Sequence, residues 1–253
     1  MTLSTVTMVL IPMFFYLIII LVTTPVSSIK LSTSFKYLFY GCSSVILVDL
    51  SHGIFPNFFK PFFPTFNIIS EEIDTVFYLC YFQIGFVEEF SKFISFILIT
   101  YFLIKDNDYH PIGTMFYYGM VGLSFGTLEN LHYAKLYGDD VILPRSLTAM
   151  LLHMLLGFIS GYWMALIDIK SKKGRSLLDI LLFNNKIFKT FFYCLTAILI
   201  STIIHGTYNF NLFTSGKSSW SIMFTQLLLT IFITYIASKS LINKYKKSFK
   251  NIG

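Results

Sequence analysis

Charge is scarce in this 253-residue chain: Asp, Glu, Lys and Arg make up 13% of it, against roughly a quarter in soluble domains. That scarcity excludes an ordinary soluble fold. Cysteine is also scarce. Cys42, Cys80 and Cys194 are the three, all inside apolar runs and without any C-x-x-C spacing, which excludes a disulfide frame or a zinc knuckle and leaves small buried apolar residues. Gly-rich phosphate loops and base-stacking platforms are missing, so the net charge of +6 does not point to nucleic acid, and no nucleic-acid partner is expected. There is no H-E-x-x-H, no internal repeat, and no stretch with room for a soluble domain. The longest loops, 56–74 and 169–187, have about twenty residues each.

Present instead is apolar sequence: 55% hydrophobic, 19% aromatic, mean hydropathy +0.69. Several runs reach the roughly 20 residues that cross a bilayer as helix. The expected architecture is an all-α, polytopic transmembrane helical bundle, with residues 1–253 forming one integral-membrane domain in the plasma membrane. Seven segments are expected, at about 6–24, 36–55, 75–104, 112–134, 146–168, 188–210 and 219–238. The first has no preceding Lys or Arg and exceeds a signal-peptide core, so it reads as a retained span. The third is too long for one upright span and is expected to tilt, kink near Gly85, or begin as an interfacial helix.

Loop charge orients these spans. Lys170, Lys172, Lys173, Arg175 and Lys186 fill one loop, and Lys239, Lys244, Lys246, Lys247 and Lys250 fill the tail. Both belong on the cytoplasmic side. Counting back, loop 56–74, with Glu71, Glu72 and Asp74 against Lys60, lies outside, and so does the N-terminus.

The polar residues inside the spans then fall at related depths. At 1.5 Å per residue, Glu88 and Glu89 of "GFVEEFSKF" lie roughly 20 Å along the third segment, near mid-membrane. Glu129 is about 25 Å along the fourth, and His153 about 10 Å into the fifth. His205 and Asn209, four residues apart and on one face, lie near the outer end of the sixth. These groups come from four segments and all fall between the midplane and the outer surface. Ionisable groups there cost from about 2.5 kcal/mol upward, so they face one another or water and mark function by default.

Each residue also has a plainer reading. Glu88 or Glu89 with Lys92 can be a buried ion pair that fixes helix register. Glu129 can cap a partner helix or pair with His132, and His153 can be a core histidine. Together they are a constellation with chemistry in it, and three readings compete. A carboxylate can activate water against a carbonyl while His and Asn hold the oxyanion. Glu and His can ligate a hydrolytic metal. The same groups can form the relay of a proton- or cation-coupled transporter, although the repeated halves common in transporters are absent.

The motifs "EEFSK", "FGTLE" with the following Asn130, "LLHMLLGFISGY" around His153, and "HGTYN" occur in the order seen in the PrsW family. The chain resembles these intramembrane proteases, which are related to the CAAX-prenyl endopeptidase and bacteriocin-immunity superfamily, over about residues 85–210; the motif-bearing core extends over about 75–210. The resemblance implies hydrolysis by a glutamate-activated water of a peptide bond in a membrane-anchored protein, such as an anti-sigma factor. It implies Glu88 as general base with Glu89 beside it, Glu129 and His153 as further catalytic groups, and His205 with Asn209 as the oxyanion hole. Lys92, Phe125 and Asn130 would support them. The expected partners are that substrate and the lipid bilayer. No cofactor is expected; the alternative is zinc, held by Glu88, Glu129, His153 and His205. Successive helical residues point about 100° apart, so one of Glu88 and Glu89 activates water while the other ties down Lys92 or a neighbouring helix.

Overall fold

Apolar helices satisfy their own backbone hydrogen bonds, which is the requirement a bilayer imposes. The structure, a computed structural model, describes residues 2–23, 30–52, 73–103, 110–170, 187–214 and 219–250, and contains no strand among them. Helix α1 is Leu3–Thr23. Helices α2 (Leu31–Tyr40) and α3 (Ser43–His52) follow, separated at Gly41 and Cys42. A side chain at Gly41 would come within 3.0 Å of the Val121 backbone, so this break doubles as a point of close helix approach.

The third segment is one continuous helical rod. Helix α4 (Ile73–Tyr78) passes through a π-helical stretch, Leu79–Phe86, into α5 (Val87–Leu103). The expected irregularity near Gly85 is therefore a change of helical pitch. Helix α6 spans Pro111–Tyr137. Pro111 sits in its first turn, where no N–H is needed, and His110 Nδ1 accepts from the Ile112 N–H. Gly138, with φ 89°, closes it, and its N–H returns to Ala134 O.

After a short 3₁₀ turn, Asp139–Val141, helix α7 (Ile142–Arg145) continues through a second π-helical stretch, Ser146–Met150, into α8 (Leu151–Lys170). Helices α9 (Ile187–Thr214) and α10 (Ser219–Lys250) complete the chain. The long loops carrying most of the orienting charges, including Lys60, Glu71, Glu72, Lys172, Lys173, Arg175 and Lys186, lie outside the described residues.

Five stretches of the described residues are long and apolar enough to cross a membrane: Leu3–Val22, Leu31–Ser51, Asp139–Ile167, Thr190–Thr214 and Trp220–Lys246. The α4–α5 rod and α6 carry the carboxylates. Helix α6 is the centre of the bundle. Met115, Tyr117, Tyr118, Met120, Val121 and Leu123 are all buried on it, as expected of a helix covered on every side. Its tightest partner is α8. A Cβ on Gly122 would lie 2.2 Å from His153 O, and one on Gly157 2.6 Å from Tyr118 O. Only hydrogen at these positions lets the two backbones pack so closely.

Aromatic stacking ties α5 to the same core. Phe96 stacks on Tyr118 at 4.5 Å and on Tyr37 at 5.4 Å, and Tyr37 stacks on Tyr117 at 4.9 Å. Helix α10 instead keeps Phe224, Leu228 and Phe232 exposed, a face suited to acyl chains.

Candidate active site

The site begins where the π-helical stretch hands over to α5. Gly85 brings this rod against α9: its missing Cβ would lie 3.2 Å from Thr202 O and 3.3 Å from Gly206 N. Glu88 and Glu89 follow in the first turn of α5 and so face His205 across the contact. Close packing of α6 on α8 sets Glu129 opposite His153 in the same way.

A continuous chain of polar contacts results. Lys92 Nζ donates to Glu89 Oε1 at 2.6 Å and lies 2.8 Å from His153 Nδ1. His153 Nε2 lies 2.8 Å from Glu129 Oε2, and Glu129 Oε2 lies 2.9 Å from Arg145 Nη2. Glu89 Oε1 also meets His205 Nδ1 at 2.9 Å. The donors fix the tautomers. A lysine ammonium only donates, so His153 Nδ1 accepts and its Nε2–H donates to Glu129. A carboxylate only accepts, so His205 Nδ1–H donates to Glu89, and in the neutral ring its Nε2 carries a lone pair. That Nε2 is 3.8 Å from Glu88 Oε2, too far for a hydrogen bond.

Water is largely excluded. Lys92 is 0% exposed, His153 1% and Glu89 2%. Two cations, Lys92 and Arg145, face three carboxylates, Glu88, Glu89 and Glu129. Glu89 pairs with Lys92 and Glu129 with Arg145, so among the described residues Glu88 has no Lys or Arg of its own. Its Oε2 is buried and has no hydrogen-bond partner among the described residues. The ion pair of the E-E-x-x-K motif is therefore Glu89 with Lys92, three residues apart.

Phe125 is buried beneath the cluster. Lys92 Nζ stands 4.5 Å over its ring and His153 meets it edge-on at 5.0 Å. The rings of His153 and His205 are nearly perpendicular, 4.9 Å apart. Asn130 is fully buried; it donates to Ser146 Oγ at 3.2 Å and accepts from Arg145 Nε at 3.1 Å. Asn209 forms no hydrogen bond to the charged groups among the described residues, but it lines a cleft of about 30 Å³ together with Glu129, Arg145, His153, His205 and Tyr208, room for one or two waters. Glu88 is not among the lining residues and connects to the cleft through His205. His132 is exposed and does not pair with Glu129.

Arg145 is the residue that sequence reasoning missed. It stands one position before the expected start of the fifth span, where a cation draws no notice. The orphan carboxylate of Glu129 sixteen residues earlier was the signal that a partner was needed. As to a metal, Glu88, His153 and His205 can each offer one ligand atom, all within 4.8 Å of one another. Glu88 Oε2 and His205 Nε2 are unengaged and fit that role. Both nitrogens of His153 are already occupied, so it would have to release Glu129 to join them.

Comparison with known proteins reaches the same region. The family described as PrsW family intramembrane metalloprotease matches residues 33–237. The chain is similar to the Protease PrsW of Oceanobacillus iheyensis, with 27% identity over 167 residues, covering 65% of this chain and 68% of that protein. It is 26% identical over 136 residues to Protease PrsW of Geobacillus kaustophilus (53% of this chain, 51% of that protein). To Protease PrsW of Bacillus subtilis it is 25% identical over 144 residues, 57% of each. The matches thus span just over half the length of the latter two relatives. No solved structure matches.

Proposed function

The chain belongs to the PrsW family of intramembrane metalloproteases, and from that premise we propose that it hydrolyses a peptide bond of a membrane-anchored protein at the Glu88–Glu89–Glu129–His153–His205 cluster. The observation that carries this reading is Glu88 Oε2, a buried carboxylate oxygen without a partner in a cluster whose other carboxylates are paired. A buried acceptor left open costs about 1–3 kcal/mol or more; a reacting water would satisfy it.

Glu88 takes a proton from a water that also hydrogen-bonds to His205 Nε2. The water oxygen bonds to the carbonyl carbon, and the carbonyl electron pair moves to oxygen. Glu88 then passes its proton to the amide nitrogen as the C–N bond breaks, leaving a carboxyl group and an amine. Asn209, one turn beyond His205, donates its amide N–H to the oxyanion. His205 adds a donor only when its ring carries both protons. Each such donor is worth about 3 kcal/mol. Glu89 and Lys92 position the two imidazoles. Counting the α4–α5 rod and α6 with the five apolar stretches gives seven spans; with the N-terminus outside, as the loop charges favour, the chemistry would sit in the outer half of the bilayer, and a regulator of the anti-sigma-factor class is the substrate the family resemblance favours.

The description of the family supports a second reading, the same reaction with a metal. Glu88 and His205 would hold the ion, with His153 or Glu129 as the third donor. When bound, a divalent ion such as zinc would polarise the carbonyl and activate water. The double engagement of His153 favours the metal-independent form. The test is comparative membrane proteomics of cells carrying wild type or Glu88→Gln. Membrane-protein fragments present with wild type and absent from the variant are the expected result; identical fragment sets would overturn the proposal.

A further inference from the structure

We propose that Arg145 contacts the substrate: its guanidinium supplies the charged donor for the carbonyl oxygen of the bond being cut, and Asn130 and Tyr133 hold it in place for that task. This rests on the peptidase reading above.

Arg145 lies on the wall of the cleft, beside Asn209, His153 and His205. It is held from three directions. Nε donates to Asn130 Oδ1 at 3.1 Å, Cζ stands 3.5 Å over the Tyr133 ring, and Nη2 is 2.9 Å from Glu129 Oε2. Asn130 cannot swing away, because it is fully buried and its amide nitrogen bonds Ser146 Oγ. The guanidinium is therefore pre-oriented, at the low reorganisation cost that electrostatic stabilisation of a transition state needs.

It also has donors to spare. A guanidinium offers five N–H groups in a fixed fork, and Asn130 takes the one on Nε. Nη2 is buried and, among the described residues, donates to no aligned acceptor, its contact with Glu129 being an ion pair of poor hydrogen-bond geometry. A structural ion pair alone leaves that donor unexplained, whereas a carbonyl oxygen entering the cleft would accept from it. The tautomer of His205 adds a separate argument. Its Nδ1–H is already given to Glu89, and in the neutral tautomer Nε2 can only accept, so in that form Asn209 would be left as the lone neutral donor among the residues read from the sequence. A fixed cation completes the pair of donors that an oxyanion needs.

The experiment uses the full-length protein in detergent and a hydrophobic dipeptide phosphinate, whose tetrahedral anionic centre imitates the intermediate. Phosphinate affinity is measured by calorimetry for wild type, Arg145→Gln, Arg145→Lys and Glu88→Gln. Fragment release is followed in membranes, and melting temperature serves as the folding control. Arg145→Gln should bind the phosphinate about 100-fold more weakly and release fragments about 100-fold more slowly. Arg145→Lys should recover part of both, since it keeps the charge but not the fork. A purely structural role would lower melting temperature and yield but leave phosphinate affinity of the folded fraction unchanged, and that outcome overturns the proposal. So does wild type that does not bind the phosphinate. If affinity follows Arg145 while Glu88→Gln releases the same fragments as wild type, the anion site stands and the peptidase reading falls. If Arg145→Gln binds as wild type does while Glu88→Gln abolishes fragments, Arg145 is removed and the peptidase remains.

Discussion

Lys92→Met is the substitution with the most calculable consequence. The methionine keeps most of the aliphatic stem and its packing on Phe125 but removes the ammonium. Lys92 is 0% exposed and bonds Glu89 at 2.6 Å and His153 at 2.8 Å. Without it Glu89, itself 2% exposed, becomes a buried anion with only His205 Nδ1–H to donate to it. Breaking a buried pair in this way costs about 3–5 kcal/mol. For a chain of this size that is a fall in Tm of roughly 6–20 °C, at 2–4 °C per kcal/mol. The assay is thermal unfolding in detergent, with Glu89→Met and the double variant alongside. Lys92→Met with Glu89→Met should regain most of the loss, because two apolar side chains replace the pair and leave no charge stranded. Wild-type stability in the single variant, or a double variant no better than the single, would refute the reasoning.

Other outcomes follow from the same geometry. Glu88→Gln should keep folding stability within about 1 kcal/mol of wild type, since Oε2 forms no hydrogen bond to lose, while abolishing cleavage; circular dichroism melts and fragment analysis check both halves. Gly122→Val should destabilise the α6–α8 contact by about 3 kcal/mol or more, because its Cβ would lie 2.2 Å from His153 O, and activity should fall with it. Glu129→Gln should weaken the hold on both His153 and Arg145 and abolish cleavage, read as fragment loss at unchanged membrane abundance. Incubation with a chelator should leave cleavage intact; loss of activity restored by zinc would establish the metal-dependent form.

The sequence made the convergence of the site legible because depth is countable. Each residue advances a helix by a fixed rise, so Glu88, Glu129, His153 and His205 were expected at neighbouring depths, and these four side chains lie around one another in space. Rotation is less countable. The π-helical stretch Leu79–Phe86 shifts the phase of everything after it relative to the neighbouring helices, so which of Glu88 and Glu89 faces His205 could not be counted, and because i,i+3 and i,i+4 pairs are both allowed, the partner of Lys92 could not be assigned from spacing. The break at Gly41 and Cys42 was also hidden, because an apolar run continues across it. Arg145 escaped notice because boundary cations are ordinary in membrane helices; its use depends on Asn130 and Tyr133, which only the folded α6 brings alongside.

The most direct measurement is proteolysis by the purified protein in proteoliposomes prepared in H₂¹⁸O, with the fragmented membrane proteins as substrates. Wild type should release fragments whose new C-terminal carboxyl carries one ¹⁸O from the attacking water, and Glu88→Gln should release none. Labelled fragments from Glu88→Gln, or proton or cation flux across the vesicles with no proteolysis at all, would contradict the account.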